Sequence, residues 1–431
     1  MFITNIMEGI IFMNSSAIID NFKVLESLKT DEMIEFIQKL VRINSVYDPE
    51  VENANEEEVA KFIYDFLKKE GFEVYLDEVI PGRPNVIAIY NGNEEGKTLL
   101  FEGHTDVVSA GDIAKWQYDP FGAEIVNVNG KDRMYGRGTN DTKGNVGAMI
   151  YAAKAIKDSG ISLKGRIKLC IPVDEEGLMI GIKDFIKKGW ADDVDAGIIC
   201  EPEEKNLCLV QKGALRLGIT INGKMSHGAM PLAGNNPVWG VGRVVTELRK
   251  LENAEKDRLG KHEYLGWPSI TPTTIQTPIK GVAQINVVPT DAYITLDIRT
   301  VPGQDHEALI NQIQGILDRL MEQYDSGDDR FDAILEIIDN RPVVECDIDE
   351  PIVKALSKAY MDIMGSEPIY NGVPGATDGT FLTAWKNIPV VVTGAGDREI
   401  PHQVNEWCEI DDLIETAKMY TLAALNFLND N

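Results

Sequence analysis

The chain has 431 residues and a formal net charge of −27 at pH 7. That length exceeds one ordinary hydrophobic core, so two domains are expected, and so large an excess of acid argues against nucleic acid or an anionic membrane as partner. Hydrophobic residues make up 44% and charged residues 26% of the chain, the balance of a soluble globular protein.

Residues 1–13 (MFITNIMEGIIFM) are apolar but lack the basic region and small-residue cleavage site of a signal peptide, and Met13 is the expected native start. No run of 18 apolar residues exists, so no membrane span is expected. The five cysteines are scattered and form no CxxC pair, as buried free thiols in a reducing, cytoplasmic setting would be.

Residues 31–43 (DEMIEFIQKLVRI) and 55–70 (NEEEVAKFIYDFLKKE) have helical apolar spacing. The second places acids first and bases last, with Gly71 beyond, which suits the helix dipole and a C-terminal stop. Short apolar runs then alternate with helical stretches: NVIAIY, TLLFEGH, a helix after Gly144, RIKLCIPV, a helix around Ile182–Lys188, and AGIIC. Strands separated by helices predict an α/β fold: a mostly parallel sheet with helices on both faces. From about Gly213 the texture changes. ALRLGITING alternates apolar and polar residues, as a half-exposed antiparallel strand does. A helix at Pro237–Leu251, strands near TTIQTPIKG and AYITLDIRT, a helix at His306–Tyr324 and a strand near AILEII complete an inserted α+β domain. Residues 13–212 and 341–431 are thus expected to form one domain, and 213–340 the insert.

Two Gly-rich stretches mislead. GNEEGKT at residues 92–98 is one residue short of a phosphate-binding loop and too acidic, and reads better as a turn between strands. Gly136-Arg-Gly138 fails the dinucleotide fingerprint because Asp141 stands where its third Gly belongs. There is no HExxH either, since His262-Glu263 has no second His four residues on.

Of five histidines, three lie in conspicuous settings. His104 and Asp106 follow the run TLLFE, so they fall at the carboxyl edge of a sheet, where open α/β folds bind ligands. Asp106 is placed to accept the His104 N–H, as the carboxylate behind a metal-bound imidazole does; a chance surface pair is the plain alternative. Asp141 ends a tight turn before a helix, where it either caps the helix or projects into a site. Asp174-Glu175-Glu176 follows LCIPV; three adjacent acids repel one another unless a cation is near, and a divalent metal would supply that charge. A solvated acidic turn is the other reading. Glu201 follows AGIIC, and His402 lies in PHQVNE after Gly394-Ala-Gly396; each means little alone. Together, successive strands end in His104, Glu175/Glu176 and Glu201, with Asp141 between. Mixed His and carboxylate donors suit zinc, and Asp141 is placed to bridge two ions, which in such sites lie roughly 3.5–4 Å apart.

At this point the chain resembles a known family: the metallopeptidases that include acetylornithine deacetylase, succinyl-diaminopimelate desuccinylase, aminoacylase and glutamate carboxypeptidase. The likeness runs from Asp31 to the end, through GHTDVV, WQYDPF, YGRGTNDTKG, DEEG, EP, GKMSHGAMPLAGNNP, NVVP, LDIRTVPGQD, GATDGTF and HQVNE in the family's order. The resemblance implies that His104 and Glu201 bind one zinc, Glu176 and His402 the other, and Asp141 bridges them. It implies that Asp106 orients His104 and that Glu175 is the general base. His227 resembles the histidine that reaches a partner subunit's active site, so a homodimer with a lid and dimerisation insert is implied. Asn286 and Arg299 match positions that hold a substrate carboxylate, and Thr377 lies near the substrate. Arg299 has another reading, a structural ion pair within a strand. Two departures, Ser109 in place of a common Pro and Gly394-Ala-Gly396 in place of GlyProGly, touch no ligand and bear on substrate detail.

The implied activity is hydrolysis of the amide of a small N-acyl amino acid, of deacetylase or desuccinylase type, with two Zn²⁺ per subunit and Co²⁺ or Mn²⁺ as substitutes. A dipeptidase or carboxypeptidase with the same metal core is the alternative, since fold does not choose between them.

Overall fold

The computed structural model describes residues 21, 23–51 and 54–429. The apolar segment 1–13, with its expected start at Met13, lies outside them. The chain divides into two compact units: residues 1–209, 346–371 and 377–431, and residues 210–345 with 372–376. The sequence placed the divisions at 212/213 and 340/341 and gave no sign that residues 372–376 group with the insert.

The first unit is a mixed α/β structure. Its sheet runs, in spatial order, Glu73–Ile80, Arg83–Asn91, Lys164–Ile171, Glu94–Glu102, Ala196–Ile199 and Val390–Val392. The pairings from Lys164–Ile171 through Val390–Val392 are parallel. The other flank is antiparallel: NVIAIY lies in a strand that pairs antiparallel with both of its neighbours. The tight Pro81-Gly82 turn returns the chain at once, where a parallel neighbour needs a crossover of a dozen or more residues. The strand after GNEEGKT's first turn begins as early as Glu94, so that segment is mostly strand rather than turn.

Helices Thr30–Arg42, Lys143–Ser159, Pro351–Met364 and Ile410–Asn429 form one packed group, and Ile180–Lys187 packs with Gly379–Lys386. The Lys143–Ser159 helix is buried on nearly every side, so it reads as a continuous apolar run rather than a stripe. Gly147 lets it approach Thr30–Arg42: a Cβ there would fall 2.2 Å from Ile37 Cγ1. A separate antiparallel sheet joins Glu124–Val128, Lys131–Tyr135 and Trp407–Glu409.

The second unit has a four-stranded antiparallel sheet in the order Ser269–Gln276, Asp291–Thr300, Gly213–Asn222, Ala333–Arg341. Asp291–Thr300 alternates half-buried and buried residues along its whole length, the period of a sheet covered on one face. Its buried side joins Leu217, Ile219 and Ile313 in one core under helices Pro237–Leu259 and His306–Gln323.

Candidate metal centre

Four neighbouring parallel strands deliver the site. His104 lies two residues beyond Glu94–Glu102, Asp174–Glu176 follow Lys164–Ile171, Glu201 lies two beyond Ala196–Ile199, and His402 is on the segment after Val390–Val392. All fall at carboxyl ends, where the strands' crossovers leave a crevice. Asp141 enters from the turn before the Lys143–Ser159 helix. It is not that helix's cap, which is Thr142.

His104 Nε2 lies 3.1 Å from Asp141 Oδ1 and 3.5 Å from Glu201 Oε1. His402 Nε2 lies 3.3 Å from Asp141 Oδ2 and 2.9 Å from Glu176 Oε1. Within each trio (His104, Asp141, Glu201; and Asp141, Glu176, His402) one donor atom per residue lies within 4.8 Å of the others. Asp141 is common to both, one oxygen facing each imidazole. The residues fit a pair of divalent cations on two grounds. The donor set is imidazole and carboxylate. Glu201 Oε1 is buried with no hydrogen-bond partner among the described residues, so it has lone pairs free for a cation.

The electrostatics agree. Burial opposes a charge on His104, yet Glu201, Asp106 and Asp141 outweigh it and raise its pKa well above the usual imidazole value. Hydrogen bonds that His402 donates to Asp141 and Glu176 push its pKa up to about 10. Both histidines thus sit in a field that favours positive charge. Burial raises Glu175 well above the ordinary carboxylate range, with Asp378, Glu176 and Asp141 adding to it against His104. Glu102, fully buried beside the site, is raised by its burial and then by Asp378.

Asp106 works differently from the expectation. The nearer acceptor for His104 Nδ1 is the Asp106 backbone carbonyl at 2.9 Å, while its carboxylate stands at 3.5 Å. The carboxylate instead accepts the N–H groups of Glu175 (3.1 Å) and Glu176 (3.0 Å). Burial pushes the Asp106 pKa up, but His104 and these two amides prevail and hold it low. One residue therefore aims the imidazole with its main chain and the acidic turn with its side chain.

The three adjacent acids are not all balanced by the same charge. Asp174, at φ 68°, pairs with buried Arg83, whose Nη2 lies 2.8 Å from Asp174 Oδ1. Arg83 also grips Glu56 through Nε at 2.7 Å and Nη2 at 2.5 Å, and stacks on Tyr47 with 3.6 Å to the ring centroid. Sequence reasoning missed Arg83, because a basic residue opening a strand carries no periodic signal. Removing one partner leaves buried charge uncompensated, so Arg83→Gln is expected to take about 3–5 kcal/mol from the unfolding free energy of the first unit. A guanidinium titration reads it, and a loss under about 1 kcal/mol would mean Glu56 and Asp174 find other partners.

Thr377 is buried in the first unit, on the segment entering Gly379–Lys386, where its carbonyl accepts the Thr380 N–H at 3.0 Å. His227, Asn286 and Arg299 belong to the second unit. His227 is exposed, its Nδ1 accepting the Ala229 N–H at 3.0 Å, and the Asn286 carbonyl accepts the Gly228 N–H at 2.7 Å. Arg299 forks onto Asp297 through Nε at 2.6 Å and Nη2 at 3.1 Å, the strand ion pair that the sequence left open.

The chain is similar to known proteins in sequence and in fold. The model of peptidase family M20/M25/M40 matches residues 100–426. A probable succinyl-diaminopimelate desuccinylase of Staphylococcus aureus is 26% identical over 414 residues, 91% of this chain and 98% of the relative. Among solved structures, the dipeptidase Dug1p of Saccharomyces cerevisiae is similar with TM-score 0.73 at 20% identity, covering 95% of this chain and 98% of its own. The Bacillus subtilis YxeP protein, described as a dinuclear metal-binding peptidase of family M20, is similar with TM-score 0.68 at 17% identity, covering 93% and 99%.

Proposed function

Since the chain belongs to peptidase family M20/M25/M40 and is a hydrolase of amide bonds, we propose that it removes the acyl group from a small N-acyl amino acid, of desuccinylase or deacetylase type, with two zinc ions bound. The observation that carries the metal reading is the Asp141 carboxylate shared by two His–carboxylate trios. His104 and Glu201 would hold one ion, Glu176 and His402 the other, with Asp141 between. The desuccinylase name of the Staphylococcus aureus relative, aligned over 91% of this chain, supports the substrate class, and the dinuclear description of the YxeP protein supports the ion count.

When bound, such ions lower the pKa of water and polarise a carbonyl. Glu175 then takes the proton of the attacking water and returns it to the leaving nitrogen. Its burial raises the carboxyl's pKa, which makes it a stronger base. Asp106 holds the Glu175 and Glu176 amides, so base and ligand keep their separate aims. His227 donates to the oxyanion formed on the substrate carbonyl, from the other subunit of a homodimer. Asn286 and Arg299 hold the substrate carboxylate, and Thr377 lies near the substrate. Arg299 must then share its fork with Asp297. The exposed Met225, Trp239, Val282 and Ile285 of the second unit support a self-association surface. The five cysteines are buried free thiols, which supports a reducing cytoplasm.

The test is a substrate panel run with zinc- or cobalt-loaded protein: N-succinyl-diaminopimelate, N-acetylornithine, other N-acyl amino acids and dipeptides. One N-acyl compound should be cleaved, a chelator should abolish cleavage, and zinc or cobalt should restore it. Cleavage of dipeptides alone would replace the deacylase reading with a dipeptidase one. Cleavage that survives complete metal removal would sink the metal mechanism.

A further inference from the structure

We propose that Glu406 is a positioning residue that sets Asp141 against His402, and so builds the metal site on the His402 side. The inference rests on the two-ion reading above.

Glu406 is fully buried, four residues after His402 and immediately before the strand Trp407–Glu409. A single oxygen, Oε1, accepts the backbone N–H groups of Gly138 at 2.9 Å, Asn140 at 3.0 Å and Asp141 at 3.1 Å. The other, Oε2, accepts Arg137 Nη1 at 2.5 Å. The Glu406 carbonyl accepts the Gly136 N–H at 2.9 Å. The turn from Gly136 to Asp141 is thereby gathered on one residue of the His402 segment. Gly138, at φ +85°, supplies the left-handed conformation that turns its N–H inward with its neighbours.

The Arg137 guanidinium closes the arrangement: it matches the anion, donates to the Ser109 carbonyl at 3.2 Å and lies 3.5 Å from the His402 carbonyl. The strand register Trp407↔Tyr135 holds both segments from the far side. His104 and Glu201, by contrast, depend on strand ends that Glu406 does not touch. The His402–Asp141 spacing depends on it directly, since Glu406 joins the amide of one to the segment of the other.

A carboxylate is required by donor count. Every group facing Glu406 is a donor, at both ends. A glutamine of the same shape must turn its NH₂ toward either Arg137 or the three amides, so one end loses its acceptor. Groups one step removed from a metal typically contribute 10–100-fold to its affinity, and that is the loss expected for the ion beside His402, with a smaller loss at the other ion, which shares only Asp141 with this segment.

The experiment is a zinc titration of metal-free protein by calorimetry with a competing chelator, for wild type, Glu406→Gln, His402→Ala and the double variant. Wild type should bind two ions. Glu406→Gln should bind one ion 10–100-fold more weakly and the other with a clearly smaller loss, and in the double variant Glu406→Gln should add little to His402→Ala. Two ions at wild-type affinity in Glu406→Gln, or equal weakening of both, would overturn the inference while leaving the two-ion reading intact. A wild type that binds fewer than two ions would overturn that reading itself. Should Glu406→Gln fail to fold by circular dichroism, Glu406→Asp, which keeps the charge for Arg137 but is one methylene too short for the amides, is judged by the same criteria.

Discussion

Glu175→Gln is expected to lower kcat by about 10²–10⁴-fold while KM and the bound metal stay as in wild type. The side chain keeps its shape, and its backbone N–H still donates to Asp106, so the acidic turn should hold. What is lost is the proton acceptor. Glu175 belongs to neither donor trio, which separates its role from that of Glu176 one residue on. The sign of the pH dependence follows from its raised pKa. A base must be deprotonated, so wild-type activity falls as pH drops through that pKa, and the variant's residual activity should lose this acid limb. Metal content by atomic emission and a kcat profile from pH 5 to 9 read both. A loss below tenfold, or an unchanged acid limb, would move the base elsewhere. A variant short of metal would show that Glu175 is a ligand.

How far the sequence could lead is clearest from particular residues. The helices Thr30–Arg42 and Glu57–Lys69 were legible because acids open them, bases close them and their apolar residues recur on one side. Asp291–Thr300 was legible through strict alternation. The strands Lys131–Tyr135 and Trp407–Glu409 were not. KDRMY and WCE are short and charged, and they pair across 270 or more intervening residues, as in Tyr135↔Trp407. Such partners are chosen by tertiary packing, which overrides local propensity.

The candidate site divides in the same way. The residue types and their places at strand ends could be read, because apolar runs stop there and a His or acid follows. The supporting groups could not. Arg83 and Glu406 act on main-chain amides or distant acids, and a backbone N–H leaves no letter in the sequence. The same blindness explains Asp106. HxD spacing suggested a carboxylate behind the imidazole, yet the carbonyl stands closer and the carboxylate serves the next turn.

Asp141→Asn should have the widest effect on metal binding, because its two oxygens face the two imidazoles separately, at 3.1 and 3.3 Å. Two dications at the 3.5–4 Å spacing common in paired sites repel by about 18 kcal/mol at an effective dielectric of 20. An anion between them offsets much of that. An amide has no net charge, and its NH₂ end offers no lone pair to a cation. Loss of a group one step removed from the metal costs 10–100-fold, so loss of the shared carboxylate should weaken at least one ion by more than 100-fold, with activity falling to the chelated background. The fold should survive, since the turn is held by the Asp141 backbone N–H on Glu406, which the substitution leaves in place. Equilibrium dialysis against zinc, with circular dichroism as the folding control, decides it. Two ions retained within tenfold of wild-type affinity would mean that the trios are filled independently and that Asp141 is not a bridge.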